Sequence, residues 1–346
     1  MKSQGKSFSR RKLRLIAGSA SIALTVAGLT ACATTDTGGD AGAGDTGENK
    51  TITVLESSPG FFDLPIHVAM DDFDEQFGLN IELTQVQGGG AAGQQFQGGT
   101  GDIAVTAADI PLRLLQQDGI PGGLSIIGSN QFTMLYVLVA PADSPINDVS
   151  DLVGKKVGIT GPKSSSELVT RWAMKTKFGM DPNESEFVAL GSVPTILEAV
   201  RNGSVDAGIL FSPALEKGLG DGSVKIIYDF REFPNGQNVF YARNNDLTQD
   251  PEKFSAYMQA YTAAVEKMLD DPDYAFAAAK KYYGEGLSDD VLAEILDFYL
   301  HSEWSETTFT EDSYDASKDM LLNSDSGFEE ATFPTYEEIT KEAPKS

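Results

Sequence analysis

Apolar and polar positions along this chain switch repeatedly between a two-residue and a helical period. Positions 51–55 alternate as a strand and end in the turn-rich Ser57-Ser58-Pro59-Gly60. Ile66, Ala69, Met70, Phe73 and Phe77 then recur at helical spacing, closed by Gly78. A strand over 81–86, a Gly-rich loop, a short helix near Gln94 and a strand over 102–105 come next. Beyond a helix over 109–117 lie an apolar strand at 124–127 and a long apolar run at 132–140. After Pro145 the order restarts: strands over 156–160, 186–190 and 205–211 enclose helices over 164–177 and 193–202. Strand–helix–strand order predicts mostly parallel sheets with right-handed crossovers.

The two halves echo each other. GGTGDIAVTAADIPL (98–112) and RNGSVDAGILFSPAL (201–215) share Gly-x-x-Asp, an apolar strand, a turn and a helix. The expected fold is therefore α/β and two-lobed, each lobe a mostly parallel sheet flanked by helices. Two extended crossings beside one another would form the hinge. The first is expected at 136–140, running into Pro141 and Pro145; the second at 238–243, after the turn Pro234-Asn235-Gly236. Helices are expected at 251–269, 274–283 and 289–300. The domain boundaries that follow are 50–138 for lobe one, 139–238 for lobe two and 239–324 for the return to lobe one. Residues 325–346 read as an acidic tail.

The N-terminus changes the setting. Lys2, Lys6, Arg10, Arg11, Lys12 and Arg14 precede an apolar run over 15–29, shorter than the about 20 residues a bilayer span takes. This reads as a signal peptide over 1–31. Leu29-Thr30-Ala31-Cys32 resembles the bacterial lipobox, which makes the thiol of Cys32, the single cysteine, the lipid acceptor. Residues 32–49 are the lipidated Cys and a tether rich in Gly, Thr and Asp, too polar to bury. Removing 1–31 takes six of the 26 basic residues and none of the 51 acidic ones, leaving 20 against 51, a charge of −31. Such a surface opposes nucleic acid and anionic lipid, so Cys32 is the expected membrane link. With one cysteine and two histidines, neither a thiolate nor a His-rich metal site is expected.

Ligands of open α/β sheets sit beyond the carboxyl ends of strands, where helix N-termini offer N–H groups. Four loops qualify. The first offers Ser57, Ser58, Gly60, Phe61 and Phe62; the second, Gly90 and Ala91; the third, Ala107 and Asp109. The fourth is Gly161-Pro162-Lys163-Ser164-Ser165-Ser166, where serines and amides at a helix start beside Lys163 suit an anionic group. Phe132 and Phe211 are further ring candidates, whereas His67 and Arg113 read as capped or solvated. Gly88-x-Gly90-x-x-Gly93 matches the dinucleotide fingerprint, but Gly98, Gly99 and Gly101 stop any long helix after it. Gly154-Lys155-Lys156 lacks the upstream Gly and following Ser/Thr of a P-loop.

DLVGKKVGITGPKSSSELV (151–169) and PTILEAVRNGSVDAGILFSPAL (194–215) resemble the ABC-transporter substrate-binding proteins of the nitrate, sulfonate and taurine group. LPIHVAMDDFDEQFGLNIEL (64–83) and PEKFSAYMQAYTAAVEKMLDDPDYA (251–275) are similar to that group's opening and closing patterns. The group is in turn similar to the pyrimidine-precursor-binding proteins of thiamine supply. The resemblance covers roughly 50–285 and implies the type II periplasmic-binding-protein fold. It implies a monomer without cofactor or catalysis, whose inter-lobe cleft captures a small polar or anionic organic solute. The solute would pass to an ABC permease with its cytoplasmic ATPase. A thiamine-pathway pyrimidine or an aromatic acid is the alternative solute. A sensor lipoprotein is another reading. A pyrimidine-synthesising enzyme is a third; its relatives use active-site His and Lys with pyridoxal phosphate, a pattern not matched here.

Overall fold

Ten strands form two five-stranded sheets of the same construction in the computed structural model, which describes residues 49–117, 119–231, 233–304, 307–324, 327 and 333–340. The signal peptide, Cys32 and nearly all of the tether lie outside the described residues. The strands are β1 (Lys50–Ser57), β2 (Leu79–Val86), β3 (Ile103–Thr106), β4 (Leu124–Thr133), β5 (Val137–Pro141), β6 (Lys156–Ile159), β7 (Glu186–Ala189), β8 (Ala207–Leu210), β9 (Val224–Asp229) and β10 (Pro234–Arg243). One sheet runs β2-β1-β3-β10-β4 and the other β7-β6-β8-β5-β9. In each, three strands are parallel and the fourth is antiparallel to both its neighbours. The antiparallel strand of each sheet is the one that has just crossed from the other.

The echo of Gly-x-x-Asp is structural. Asp102 donates its N–H to Thr53 O at 2.8 Å and accepts the Thr53 N–H on Oδ2 at 2.9 Å. Asp206 repeats both bonds with Lys156, at 2.9 and 2.8 Å. Each aspartate thus fixes the start of a central strand against the parallel strand beside it.

The crossings lie earlier than the sequence reading placed them. The chain leaves the first sheet after Thr133 and enters the second at Val137; it returns between Asp229 and Pro234. Residues 137–138 therefore belong to lobe two and 234–238 to lobe one. The apolar run 132–140 carries no turn residue to mark the change of sheet. Pro234-Asn235-Gly236 is not a turn between crossing and strand but an irregular stretch of β10, with register shifts on either side of Asn238. The two crossings pair with each other: Phe230 N–H donates to Tyr136 O at 3.1 Å and Met134 N–H to Phe233 O at 3.0 Å. Two short ribbons bonded in this way can flex together as one hinge.

The C-terminal helices Pro251–Asp270, Pro272–Tyr283 and Asp289–Phe298 start where their caps dictate. Asp250, Asp271 and Ser288 accept the N–H three residues on, and Pro opens the first two. Two further elements were not expected. Helix Glu311–Asn323 packs on β10 and on helix Ser165–Thr176 of lobe two. Helix Tyr336–Thr340 buries Ile339 and packs on β4, so part of the segment read as a tail is docked.

Candidate ligand-binding cleft

The loops at the carboxyl ends of β1, β2, β3, β6 and β8 meet between the lobes, together with the first crossing and the Asn238 stretch of β10. They enclose a cavity of about 20 Å³ lined by Ser57, Ser58, Phe62, Gly89, Ala107, Leu135, Tyr136, Thr160, Ser165, Phe211 and Asn238. That is room for about one water molecule, so a ring-sized solute enters only when the lobes part.

Each polar group on the wall is held from behind. Ser57 Oγ donates to Val105 O at 2.9 Å, and Ser58 Oγ accepts from Gly88 N–H at 3.0 Å, joining the first two loops. Ser58 sits at φ 50°, in the left-handed region, as does Lys163 at 59° on the opposing loop. Asn238 Nδ2 donates to Asp63 Oδ1 at 2.7 Å. Thr160 N–H donates to Ser166 Oγ at 3.1 Å. Three rings form one apolar wall: Phe62 lies 5.4 Å and Tyr136 6.0 Å from Phe211, centroid to centroid.

The central charge is acidic. Asp109, at the start of helix Asp109–Gln116, is buried, and Ser165 Oγ of lobe two donates to its Oδ1. Arg113, one turn on, approaches Asp109 Oδ2 at 3.0 Å and donates from Nη1 to Lys163 O at 3.0 Å. Burial pushes the Asp109 carboxyl up, against the pull of Arg113 and of the Ser165 hydroxyl. Burial and the neighbouring Asp109 together push the Tyr136 phenol up. A carboxylate with a serine donor already occupies the place at the helix start where an anionic ligand was expected.

The structure brings Ser57, Ser58, Phe62, Ala107, Ser165 and Phe211 onto the cavity, with Asp109 bonded to Ser165 at its edge. Gly60 sits just behind, where a Cβ would come within 2.8 Å of the Phe211 ring. Other candidates go elsewhere. Phe61 turns into the lobe-one core among Tyr283, Tyr299 and Trp304, because the turn sends adjacent rings to opposite sides. Phe132 is half-buried, with its N–H on Glu303. Ala91 is exposed, and Gly90 meets the Pro162 carbonyl of lobe two rather than the cavity. Ser164 and Ser166 bond each other through their hydroxyls at 2.7 Å and brace the loop, while the exposed Lys163 side chain stays on the rim. Arg113 is not solvated: its side chain is 12% exposed and bridges the lobes. His67 is buried, with Nε2 3.2 Å from Glu56 Oε1. Gly89, Leu135, Tyr136, Thr160 and Asn238 were missed. Both Tyr136 and Asn238 fall in stretches expected as crossings; Tyr136 does lie in the first crossing, whereas Asn238 lines the cleft from β10.

Behind the first loop, burial and the adjacent Glu56 push the Asp63 carboxyl well up, against the Gly60 N–H and Asn238. An acid whose folded pKa is raised binds its proton more tightly folded than unfolded. Its burial therefore costs most above the raised value, and stability is recovered as pH falls toward the ordinary carboxylate range of about 4. Asp71 and Asp229, pulled down by Lys281 and Arg231, act only below that range. Urea unfolding of the wild type should show higher stability at about pH 5.5 than at about pH 7.5. Asp63→Asn should flatten that rise, and an unchanged slope would remove Asp63 as its source.

Two lobes of like topology, joined by two paired crossings with a polar-and-aromatic cleft between them, make the two-lobed type II periplasmic-binding-protein fold. The chain belongs to the NMT1/THI5-like family, whose model matches residues 69–275. It resembles the alkanesulfonate-binding protein SsuA of Xanthomonas axonopodis pv. citri bound to MOPS, with TM-score 0.66 and 16% identity over 84% of this chain and 96% of that one. It also resembles the periplasmic nitrate-binding protein NrtA of Synechocystis PCC 6803, with TM-score 0.61 and 13% identity over 85% of each chain. Among curated proteins it is 25% identical over 194 residues to the 4-amino-5-hydroxymethyl-2-methylpyrimidine phosphate synthase of Schizosaccharomyces pombe. The match covers 52% of each, so the chain spans about half the length of that relative.

Proposed function

We propose that this chain is the extracytoplasmic, lipid-anchored receptor of an ABC importer, which takes a flat, amino-bearing heteroaromatic solute into the cleft and delivers it to the permease. The observation that carries the solute class is the buried Asp109 carboxylate, bonded to Ser165 at the edge of a cavity walled by Phe62, Phe211 and Tyr136. A ring stacks on that wall and its amino hydrogens meet the carboxylate. The guanidinium at this edge, Arg113, is already engaged by Asp109 and by Lys163 O, which leaves little positive charge for a sulfonate or nitrate. The kinship with a pyrimidine synthase points to the same solute class. Binding rather than catalysis is proposed, since the wall groups are hydroxyls, an amide and rings, and the carboxylate at the edge is tied to Arg113 and Ser165.

The test is a thermal-shift comparison of 4-amino-5-hydroxymethyl-2-methylpyrimidine with an alkanesulfonate and nitrate. At about 100-fold above its dissociation constant a cognate solute stabilises by about 2.7 kcal/mol. A shift with the sulfonate and none with the pyrimidine would reverse the assignment. For the anchor, Cys32→Ser should move the protein from the membrane fraction to the soluble one. Retention in the membrane fraction would defeat the lipid reading.

A further inference from the structure

A second cavity, of about 520 Å³, lies beside the hinge between the 212–220 segment of lobe two and helix Asp289–Phe298 of lobe one. It is separated from the cleft by Leu135, whose side chain borders both. Its size is that of small-molecule sites, and its walls follow their pattern of apolar surface with few polar groups. Leu215 and Ile295 are buried in the walls, while Leu219 and Phe298 stay 39% and 42% exposed at the rim. Gln131 is 1% exposed, yet its Oε1 has no hydrogen-bond partner. Glu216 accepts from Ser212 Oγ at 2.7 Å on Oε1, while its buried Oε2 has no hydrogen-bond partner. A buried acceptor left without a donor is costly, and two among the residues lining one cavity call for a donor from an occupant. The charges nearby favour a cation. Glu294 adds a second carboxylate, and the one guanidinium, Arg231, is held by Asp229 through Nε at 3.0 Å and Nη2 at 2.6 Å.

We infer that this cavity is a second binding site, distinct from the cleft, for an amphiphilic cation: an apolar body against Leu215 and Ile295 with a primary ammonium donating to Glu216 and Gln131. The probe is hexylammonium, titrated calorimetrically into the full chain in detergent with detergent heats subtracted; hexanol and hexanoate are the controls. Saturable binding of hexylammonium is expected, at least about tenfold tighter than either control. Glu216→Gln should weaken it about tenfold, and Ile295→Trp, which fills the cavity, should abolish it. Should Ile295→Trp fail to fold, Glu216→Gln decides alone. No saturable binding to the wild type, or equal binding of hexanoate, overturns the proposal. So does a loss seen in Asp109→Asn but not in Glu216→Gln, which would assign the amine to the cleft. Failure of the pyrimidine assignment leaves each of these outcomes untouched.

Discussion

Glu303→Ala should lower the unfolding free energy by about 3–5 kcal/mol in urea titrations, a large share of what holds a domain together. The side chain is fully buried at the end of the wide turn Tyr299–Glu303. Its carboxylate takes the N–H groups of Phe132 and Thr133 on Oε2, at 2.8 and 3.2 Å, and the Thr133 hydroxyl on Oε1 at 2.6 Å. These donors are the last residues of β4, directly before the first crossing. Alanine would strand two backbone N–H groups and a hydroxyl away from water and leave a void beside them. Glu303→Gln keeps the shape and one acceptor oxygen, so its loss should be smaller. A Glu303→Ala protein within about 0.5 kcal/mol of wild type would mean that water reaches this corner and replaces the carboxylate.

What could be read from the residues divides along a physical line. Elements whose signals are local were legible: the helix opening at Pro251, the β1 alternation, and the paired Gly-x-x-Asp turns. The points where one sheet hands the chain to the other were not. Positions 132–140 are apolar apart from Thr133 because β4 and β5 are each largely buried, and no periodicity separates two consecutive buried strands. Helix Glu311–Asn323 escaped for another reason. Its stability comes from tertiary contacts, among them the Trp172 Nε1 donation to Asp319 at 3.0 Å and the Ser317 donation to Asn235 at 2.8 Å.

The site shows the same division. Loops after strands were identified as ligand-facing from topology alone, yet adjacent residues such as Phe61 and Phe62 part company, which only the turn geometry decides. The serine loop was read as an anion seat because its local donors suit one. The group that meets Ser165 is Asp109, 56 residues away and in the other lobe. Charge complementarity across a cleft is a property of two surfaces and cannot be read from either loop by itself.

That apposition also makes closure vulnerable at a single small residue. Gly90 lies in the first turn of helix Gly89–Gln97 on lobe one, and a Cβ there would stand 2.9 Å from the Pro162 carbonyl oxygen on lobe two. Its backbone is helical, so a side chain costs no conformational strain; the obstacle is the facing lobe. Gly90→Leu should therefore hold the lobes apart, stretching the Arg113 bond to Lys163 O and the Asp109–Ser165 pair on the same edge. Affinity for the aminopyrimidine is expected to fall by more than about tenfold, because closure is what brings both sets of contacts to the solute. Unfolding stability should stay within about 1 kcal/mol, since neither lobe's core is touched. X-ray scattering separates this from simple damage to the site. Saturating solute should shrink the radius of gyration of the wild type and of Ala91→Leu, an exposed neighbour on the same helix, and leave Gly90→Leu expanded. If Gly90→Leu binds and contracts as the wild type does, the serine loop gives way locally and this contact does not govern how the lobes meet.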